Sequence, residues 1–318
     1  MRQSRLPHLW RFRVPRPEHV TVITVTWNSQ SILRCFLESL PAAMGELNWQ
    51  LVLADNNSRD STMEIAQLLR ADARLVQLGR NAGYAAGINA AVDAAEPGTD
   101  FLVSNPDIRL DAGCGTLLME ALGEPGVGIA VPQLRDAAGR LVFSIRRDAT
   151  VLRALGEALL GGDRAGRWAP WGETVTRVEP YARPADVDWA SGALMAISRE
   201  CAERVGRWDE TMWLYSEETD YCLRAREAGF RIRYVPEARA VHFGGDSGDN
   251  PMLWTALTVN RIRLFERRHS RLHTAAFRSA VTLNEALRAL AGRSTSRAAL
   301  RSLTHSRRLA PPRPPTAS

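Results

Sequence analysis

The chain has 318 residues, 45% of them hydrophobic, with a formal net charge of +6, enough to bury a core in one large domain or one domain plus an appendage. All 41 basic residues are arginine, which excludes chemistry that needs a lysine amine, such as a Schiff base or the lysine of a phosphate-binding P-loop. No apolar run approaches the roughly 18 residues of a membrane span, and Cys35, Cys114, Cys201 and Cys222 are too dispersed for a zinc site or a disulfide framework.

In chain order, an arginine- and proline-rich leader to about Glu18 reads as disordered and lacks the apolar region of a secretory signal. Val20 to Trp27 is strand-like, and Ser29 or Ser31 caps a helix through Leu40. Trp49 to Asp55 is a second strand, followed by a helix from about Asp60 to Arg70 capped by Asp60 or Ser61. A short strand from Arg74 to Leu78 turns through Asn81-Ala82-Gly83-Tyr84 into an alanine-rich helix to about Ala94. The fourth strand, Asp100 to Asp107, leads to a helix over about 111–122 and a fifth strand, Val127 to Val131. This alternation predicts a mostly parallel sheet with helices on both faces.

The rhythm changes after Pro132. Arg140 to Arg146 and Val187 to Ser198 read as strands of a second region, separated by a Gly- and Trp-rich stretch, about 156–184, that reads as a flexible loop or lid. A helix from Glu217 to Ala228, a strand from Arg231 to Val235, and a ligand-facing loop from Ala240 to Gly245 follow. Trp254 to about Ala291 is helical with a basic face, and from Gly292 the composition predicts disorder. The expected division is a leader over 1–18, a main domain over 19–250 with halves at 19–134 and 135–250, a helical extension over 251–291 and a tail over 292–318.

Two strands end on a carboxylate, Asp55 and Asp107. In an open α/β sheet ligands bind beyond the carboxyl ends of the strands, so this pairing points to a site for a metal and a phosphorylated ligand. Charge is uneven: 13 arginines against Glu266 and Glu285 give residues 251–318 about +11, leaving about −5 for the first 250. A basic tail of this kind can meet nucleic acid, an anionic membrane or an acidic partner.

Taken together, Val25 to Asn28, Asp55-Asn56-Asn57-Ser58, Asn81 to Asn89, Asn105-Pro106-Asp107, Val187 to Ala193, Glu217 to Arg224, His242 and Asn260 to His269 resemble the inverting glycosyltransferases of family 2. Within that family the chain looks most like the bacterial rhamnosyltransferase branch. The resemblance implies a GT-A fold, with a nucleotide-sugar half, a mixed acceptor-side region and a basic helical tail. It assigns Asp107 to a Mg²⁺ or Mn²⁺ ion, with Asn105 standing where the family usually has a first acidic residue. It assigns Asp55 to the pyrimidine ring, and Thr26, Asn28, Asn57, Asn81, Gly83 and Asn89 to the rest of the nucleotide-sugar site.

The same resemblance places the general base in the acidic cluster at the helix start. Glu218 takes that role by position, where the family more often has Asp, and Asp220 is a second candidate. Trp189, Ser191 and Gly192 would line the sugar and acceptor pocket, and His242 would bind the metal or the diphosphate. The implied activity is transfer of L-rhamnose from a dTDP donor to a hydroxyl of a lipid-linked or polysaccharide acceptor in cell-envelope glycan synthesis. A UDP-sugar such as UDP-galactofuranose is the alternative donor, and a non-catalytic anionic-surface or nucleic-acid binder is the alternative class. Nothing in the body resembles a base-reading module, so no nucleic-acid partner is expected. The enzyme is expected to be cytoplasmic and peripheral at the membrane, with Arg261, Arg263, Arg267, Arg268 and Arg271 facing anionic lipid, and a homodimer is compatible with this reading.

Overall fold

A computed structural model describes residues 19–244 and 249–305. The predicted leader, the end of the predicted tail and Gly245 of the predicted loop lie outside the described residues.

Strand β1 (Val20–Thr26) is buried at every position, as expected for a strand covered on both faces. Val20 and Val22 join one core cluster and Ile23 and Val25 another, following the two-residue alternation of a strand. β1 runs parallel between β2 (Trp49–Asp55) and β4 (Asp100–Ser104), and β2 runs parallel to β3 (Arg74–Gln77). The register sets Thr26 opposite Asp55 and Thr24 opposite Ser104, so the polar ends of three strands share one edge.

The full order is β3, β2, β1, β4, β10 (Leu194–Ile197), β6 (Val127–Arg135), β11 (Arg231–His242) and β5 (Ile108–Leu110), with β8 (Ala185–Val187) also on β11. β10 is antiparallel to both β4 and β6, and β6 is parallel to β11. The predicted strand from Asp100 to Asp107 stops at Ser104, and beyond Asn105-Pro106-Asp107 a separate short strand, β5, runs antiparallel to the end of β11. A proline lacks the N–H that a ladder needs, which accounts for the break. The same pairing carries β11 to His242, seven residues beyond the predicted end and directly beside Asp107.

Helices α1 (Leu33–Met44) and α4 (Cys114–Leu122) pack on one face of the sheet. α3 (Tyr84–Ala94) and α8 (Glu217–Glu227) pack on the other. α2 (Thr62–Leu69) connects β2 and β3, and α7 (Arg199–Val205) precedes α8. Of the predicted strand Arg140–Arg146, only β7 (Ile145–Arg146) forms, and it pairs with β9 (Trp189–Ala190).

Two expectations are corrected. The stretch expected to be a loose lid follows and partly includes α5 (Val151–Leu160), then α6 (Gly162–Ala165) and a 3₁₀ turn at Glu179–Ala182. Within it Ala165, Val175 and Tyr181 are buried, the last two in the second core cluster, and Ala154 just before it joins a third cluster with Val259, Ile262, Phe265, Phe277 and Leu303, so packing orders what composition left open. The basic extension is three helices: α9 (Pro251–Arg268), α10 (Arg271–Leu290) and α11 (Ser294–His305). Ser270 separates the first two by capping α10. α11 falls where disorder was expected, because Thr295, Ala299 and Leu303 repeat at helical spacing and are buried.

Candidate active site

Asp55 ends β2 almost inaccessible to solvent. Its Oδ1 accepts from Thr26 Oγ1 at 2.8 Å and from Ser58 Oγ at 2.6 Å, and its Oδ2 accepts from Ser58 N at 2.8 Å. The carboxylate thus ties the ends of β1 and β2 to the following loop and keeps a free lone pair on Oδ2. Asn28 and Asn57, both at positive φ, frame this corner, and Asn28 bonds Arg59 N through Oδ1 and Ser58 Oγ through its own N–H.

The 81–84 turn is clamped from both sides. Asn56 donates to Gly83 O (3.1 Å) and accepts from Ala82 N, while Asn81 Oδ1 accepts from Trp213 Nε1 at 3.2 Å. Gly83 has φ of 100°, and a Cβ there would overlap the Trp213 carbonyl, so both the conformation and the space require glycine. Asn89 does not share this corner. It is buried, bonding the main chain of Trp208 in both directions and the Glu210 side chain, which makes it a tie to the segment before α8.

Asp107 and His242 meet across the β5–β11 pairing, with His242 Nε2 3.2 Å from Asp107 Oδ2. Asp107 Oδ1 is buried with no partner among the described residues. A Cβ on Gly244 would overlap Asp107 Oδ2 and come within 2.9 Å of His242 Nε2, so the absence of a side chain there keeps the pair open. The carboxylate and imidazole suit a hard or borderline divalent cation. Among the described residues no third His, Cys, Asp or Glu completes a cage, so the remaining ligands would come from substrate oxygens and water. Asn105 is held through its backbone N–H to Ala193 O, beside this pair.

The α8 start has a strained entry. Tyr215 and Ser216 both take left-handed backbone conformations, φ 67° and 74°, immediately before Glu217. Such strain costs on the order of 1–3 kcal/mol per residue and persists only where surroundings enforce it. Asn260 of α9, fully buried, donates to the carbonyls of Leu214 (2.9 Å) and Tyr215 (3.3 Å) and so enforces it here.

Glu217 is 4% exposed and Glu218 is half-buried, and each has one Oε2 with no partner among the described residues. Burial raises both carboxyls above the ordinary range, and the neighbouring Glu218 charge raises Glu217 further. Backbone N–H groups at the helix start and the Arg146 guanidinium partly oppose the shift on Glu218. A carboxyl raised in this way is suited to accepting a proton during a reaction. Asp220 differs: its Oδ2 accepts from Arg224 Nε at 2.7 Å and its Oδ1 from Arg268 Nη2 at 3.4 Å. Both of its oxygens are engaged in ion pairs, which makes it an anchor of α8 and leaves Glu218 as the candidate base.

Gly192 packs directly against Glu218, since a Cβ there would lie 2.7 Å from Glu218 Cβ. Ser191 is fixed by its N–H to Ser144 O. Trp189 is buried with its Nε1 on Arg147 O (3.0 Å), so its ring is core and offers no open face for a sugar. Three residues missed as site candidates lie inside the motifs: Asn56, Glu217 and Tyr84. Tyr84 begins α3, and its buried hydroxyl has no partner among the described residues. Its pKa is raised well above the ordinary value by burial, then by the charges of Glu217, Asp107 and Glu218, so the phenol keeps its proton.

The α9 arginines are turned toward the body. Arg261 pairs with Glu157 at 2.9 Å and Glu173 at 2.6 Å, Arg267 with Asp209, and Arg268 with Asp220 and Glu227. Arg263 donates to Thr211 O and Asn260 Oδ1. The basic extension therefore neutralises an acidic body, and this set is not a free lipid-facing surface.

Residues 21–202 match the family described as Glycosyl transferase family 2, and residues 169–270 match Glycosyltransferase like family 2. The chain is 33% identical over 236 residues to N-acetylglucosaminyl-diphospho-decaprenol L-rhamnosyltransferase of Mycobacterium tuberculosis, covering 70% of this chain and 75% of that protein. It is 27% identical over 230 residues to the succinoglycan biosynthesis protein ExoA of Rhizobium meliloti, covering 68% and 60% respectively. Among solved structures, the mannosyltransferase PcManGT from Pyrobaculum calidifontis, in complex with GDP-Man and Mn²⁺, aligns with TM-score 0.55 at 18% identity, over 88% of this chain and 76% of that one. GalNAc-T7, with UDP, GalNAc and Mn²⁺, aligns with TM-score 0.54 at 17% identity, over 78% of this chain and 47% of that one. These likenesses establish the α/β fold of the GT-A transferases.

Proposed function

This chain belongs to glycosyltransferase family 2, and on that premise we propose that it transfers an L-rhamnosyl group from dTDP-rhamnose, with inversion, to a hydroxyl of a lipid-linked saccharide. The observation that carries this reading is the carboxylate–imidazole pair of Asp107 and His242 together with the buried, unpartnered carboxyl oxygens of Glu217 and Glu218 at the start of α8. The rhamnosyl donor and the lipid-linked acceptor are supported by the similarity to the decaprenol-directed rhamnosyltransferase.

Asp55 would receive the pyrimidine N–H on its remaining lone pair, in a corner kept rigid by Thr26, Asn28, Asn57 and Ser58. Asn81, Gly83 and Asn105 would form the walls along the donor. Asp107 and His242 would hold Mg²⁺ or Mn²⁺, which supplies neutralising charge for the departing diphosphate. Glu218, as carboxylate, takes the proton of the acceptor hydroxyl while that oxygen bonds to the anomeric carbon and the carbon–phosphate oxygen bond breaks. Attack from the face opposite the leaving group inverts the anomeric centre. Ser191 and Gly192, against Glu218, would shape the space for the acceptor.

Contact with the anionic membrane that carries such an acceptor fits α10 better than α9. Leu272, Leu283, Leu287 and Leu290 are exposed at helical spacing along α10, with Arg271 and Arg293 exposed at its ends. The acid of this helix, Glu285, is buried and accepts from Trp254 Nε1 at 2.8 Å. An apolar stripe with cationic ends and no exposed acid suits an anionic lipid interface.

The test is a transfer assay with a panel of nucleoside-diphosphate sugars, a polyprenyl-diphosphate-linked N-acetylglucosamine acceptor, and Mg²⁺ or Mn²⁺. The reading predicts rhamnosylation from dTDP-rhamnose, with inverted anomeric configuration, abolished by chelation. Transfer from UDP-sugars alone would replace the donor assignment, and no transfer from any donor would overturn the catalytic reading.

A further inference from the structure

We propose that the Tyr84 hydroxyl is a substrate contact, donating a hydrogen bond to the sugar–phosphate end of the nucleotide-sugar donor. The proposal rests on the donor reading above and adds a residue which that reading does not use.

Among the buried polar atoms that lack partners in the described residues are Tyr84 Oη, Asp107 Oδ1, Glu217 Oε2 and Glu218 Oε2. The negative charges of Glu217, Asp107 and Glu218 all act on the Tyr84 phenol, so it lies near both the candidate metal carboxylate and the candidate base. Leaving a buried hydroxyl unpaired is destabilising. The fold nevertheless invests in its position. Tyr84 N donates to Trp213 O at 3.0 Å, Gly83 before it is a required glycine, and its ring packs on the core beneath α3. The helix can neither slide nor turn the ring away without breaking those ties.

A proton-bearing phenol among carboxylates acts toward a substrate as a donor. The substrate group that belongs between a metal-holding carboxylate and a general base is the reacting end of the donor, where anionic phosphate oxygens meet the sugar. The nucleobase end lies at Asp55, on the far side of β1 from β4.

The experiment compares wild type with Tyr84→Phe, which keeps the ring. Melting temperature and calorimetric Kd are measured for the free enzyme and with dTMP, dTDP-rhamnose and UDP-sugars, each with Mn²⁺. A donor contact predicts an unchanged or raised melting temperature without ligand, because an unpaired hydroxyl is removed. It also predicts a Kd for the diphospho-sugar about tenfold to hundredfold weaker and an unchanged Kd for dTMP. A lower melting temperature without ligand, with all Kd values unchanged, would overturn the proposal and mark a structural hydroxyl. Wild-type enzyme that binds no nucleotide sugar would overturn the donor reading itself, and this proposal with it.

Discussion

Asn260, on a helix near the end of the fold, donates its amide to the carbonyl of Tyr215, the first residue of the left-handed pair that aims α8 at the site. Forty-five residues separate them in sequence, yet the contact decides where Glu217 and Glu218 point. Asn260→Ala removes two donated bonds from buried carbonyls and lets the strained turn relax. The expected cost is about 1–3 kcal/mol of stability, read by denaturant titration. Turnover should fall more than donor affinity, and Asn260→Asp, which cannot donate, should not rescue it. Steady-state kinetics against the Kd of the donor separates the two effects.

Stability and activity should both report the raised carboxyls of Glu217 and Glu218. A carboxyl raised in the folded state binds its proton more tightly there than when unfolded. Folding stability contributed by the pair is therefore greatest below the ordinary glutamate range near pH 4.5 and declines as pH climbs through the raised values. Glu217→Gln removes one of the two repelling charges and should flatten that decline in a series of melting curves. The acid limb of kcat/KM, where Glu218 must lose its proton, should stay in place in the same variant, because burial and not a Glu217 charge raises the Glu218 carboxyl.

Gly244 gives a test of the proposed metal pair that leaves Asp107 and His242 themselves intact. A methyl group there would intrude between Asp107 Oδ2 and His242 Nε2. Gly244→Ala should fold normally while its activity requires at least about tenfold more Mn²⁺, an effect of about 1.4 kcal/mol. A metal titration of initial rates checks this.

The exposed stripe of α10 predicts vesicle binding. The full-length protein should float with vesicles containing phosphatidylglycerol and not with pure phosphatidylcholine. Leu283→Glu combined with Leu287→Glu should abolish flotation while leaving transfer to a water-soluble acceptor analogue unchanged. Both leucines are about 40% exposed, so the double variant should keep its fold.

What the sequence disclosed follows from the range of the signal. β1 through β4 and the helices between them were legible because two-residue alternation, turn residues and terminal aspartates are local. Asp55 and Asp107 could be placed at one edge on that basis alone. The roles of the acidic cluster were not separable, because Asp220 is taken by Arg268, 48 residues away. The direction of the α9 arginines was misjudged for the same reason, since Glu157, Glu173 and Asp209 are distant in sequence. α11 and most of α5 were hidden by composition, as arginine, glycine and tryptophan drew attention from burial at helical spacing. Trp189, expected at a sugar, is a core residue.

The central claim is that Glu218, and not Asp220, takes the acceptor proton. The direct measurement is single-turnover transfer from bound donor in Glu218→Gln and Asp220→Asn, with donor Kd measured for both. The account predicts that Glu218→Gln loses about 10²- to 10⁴-fold in the chemical step with donor affinity intact. Asp220→Asn should keep most of its turnover and lose stability through its broken pairs with Arg224 and Arg268. Near-normal turnover in Glu218→Gln, with turnover abolished in a folded Asp220→Asn, would contradict it.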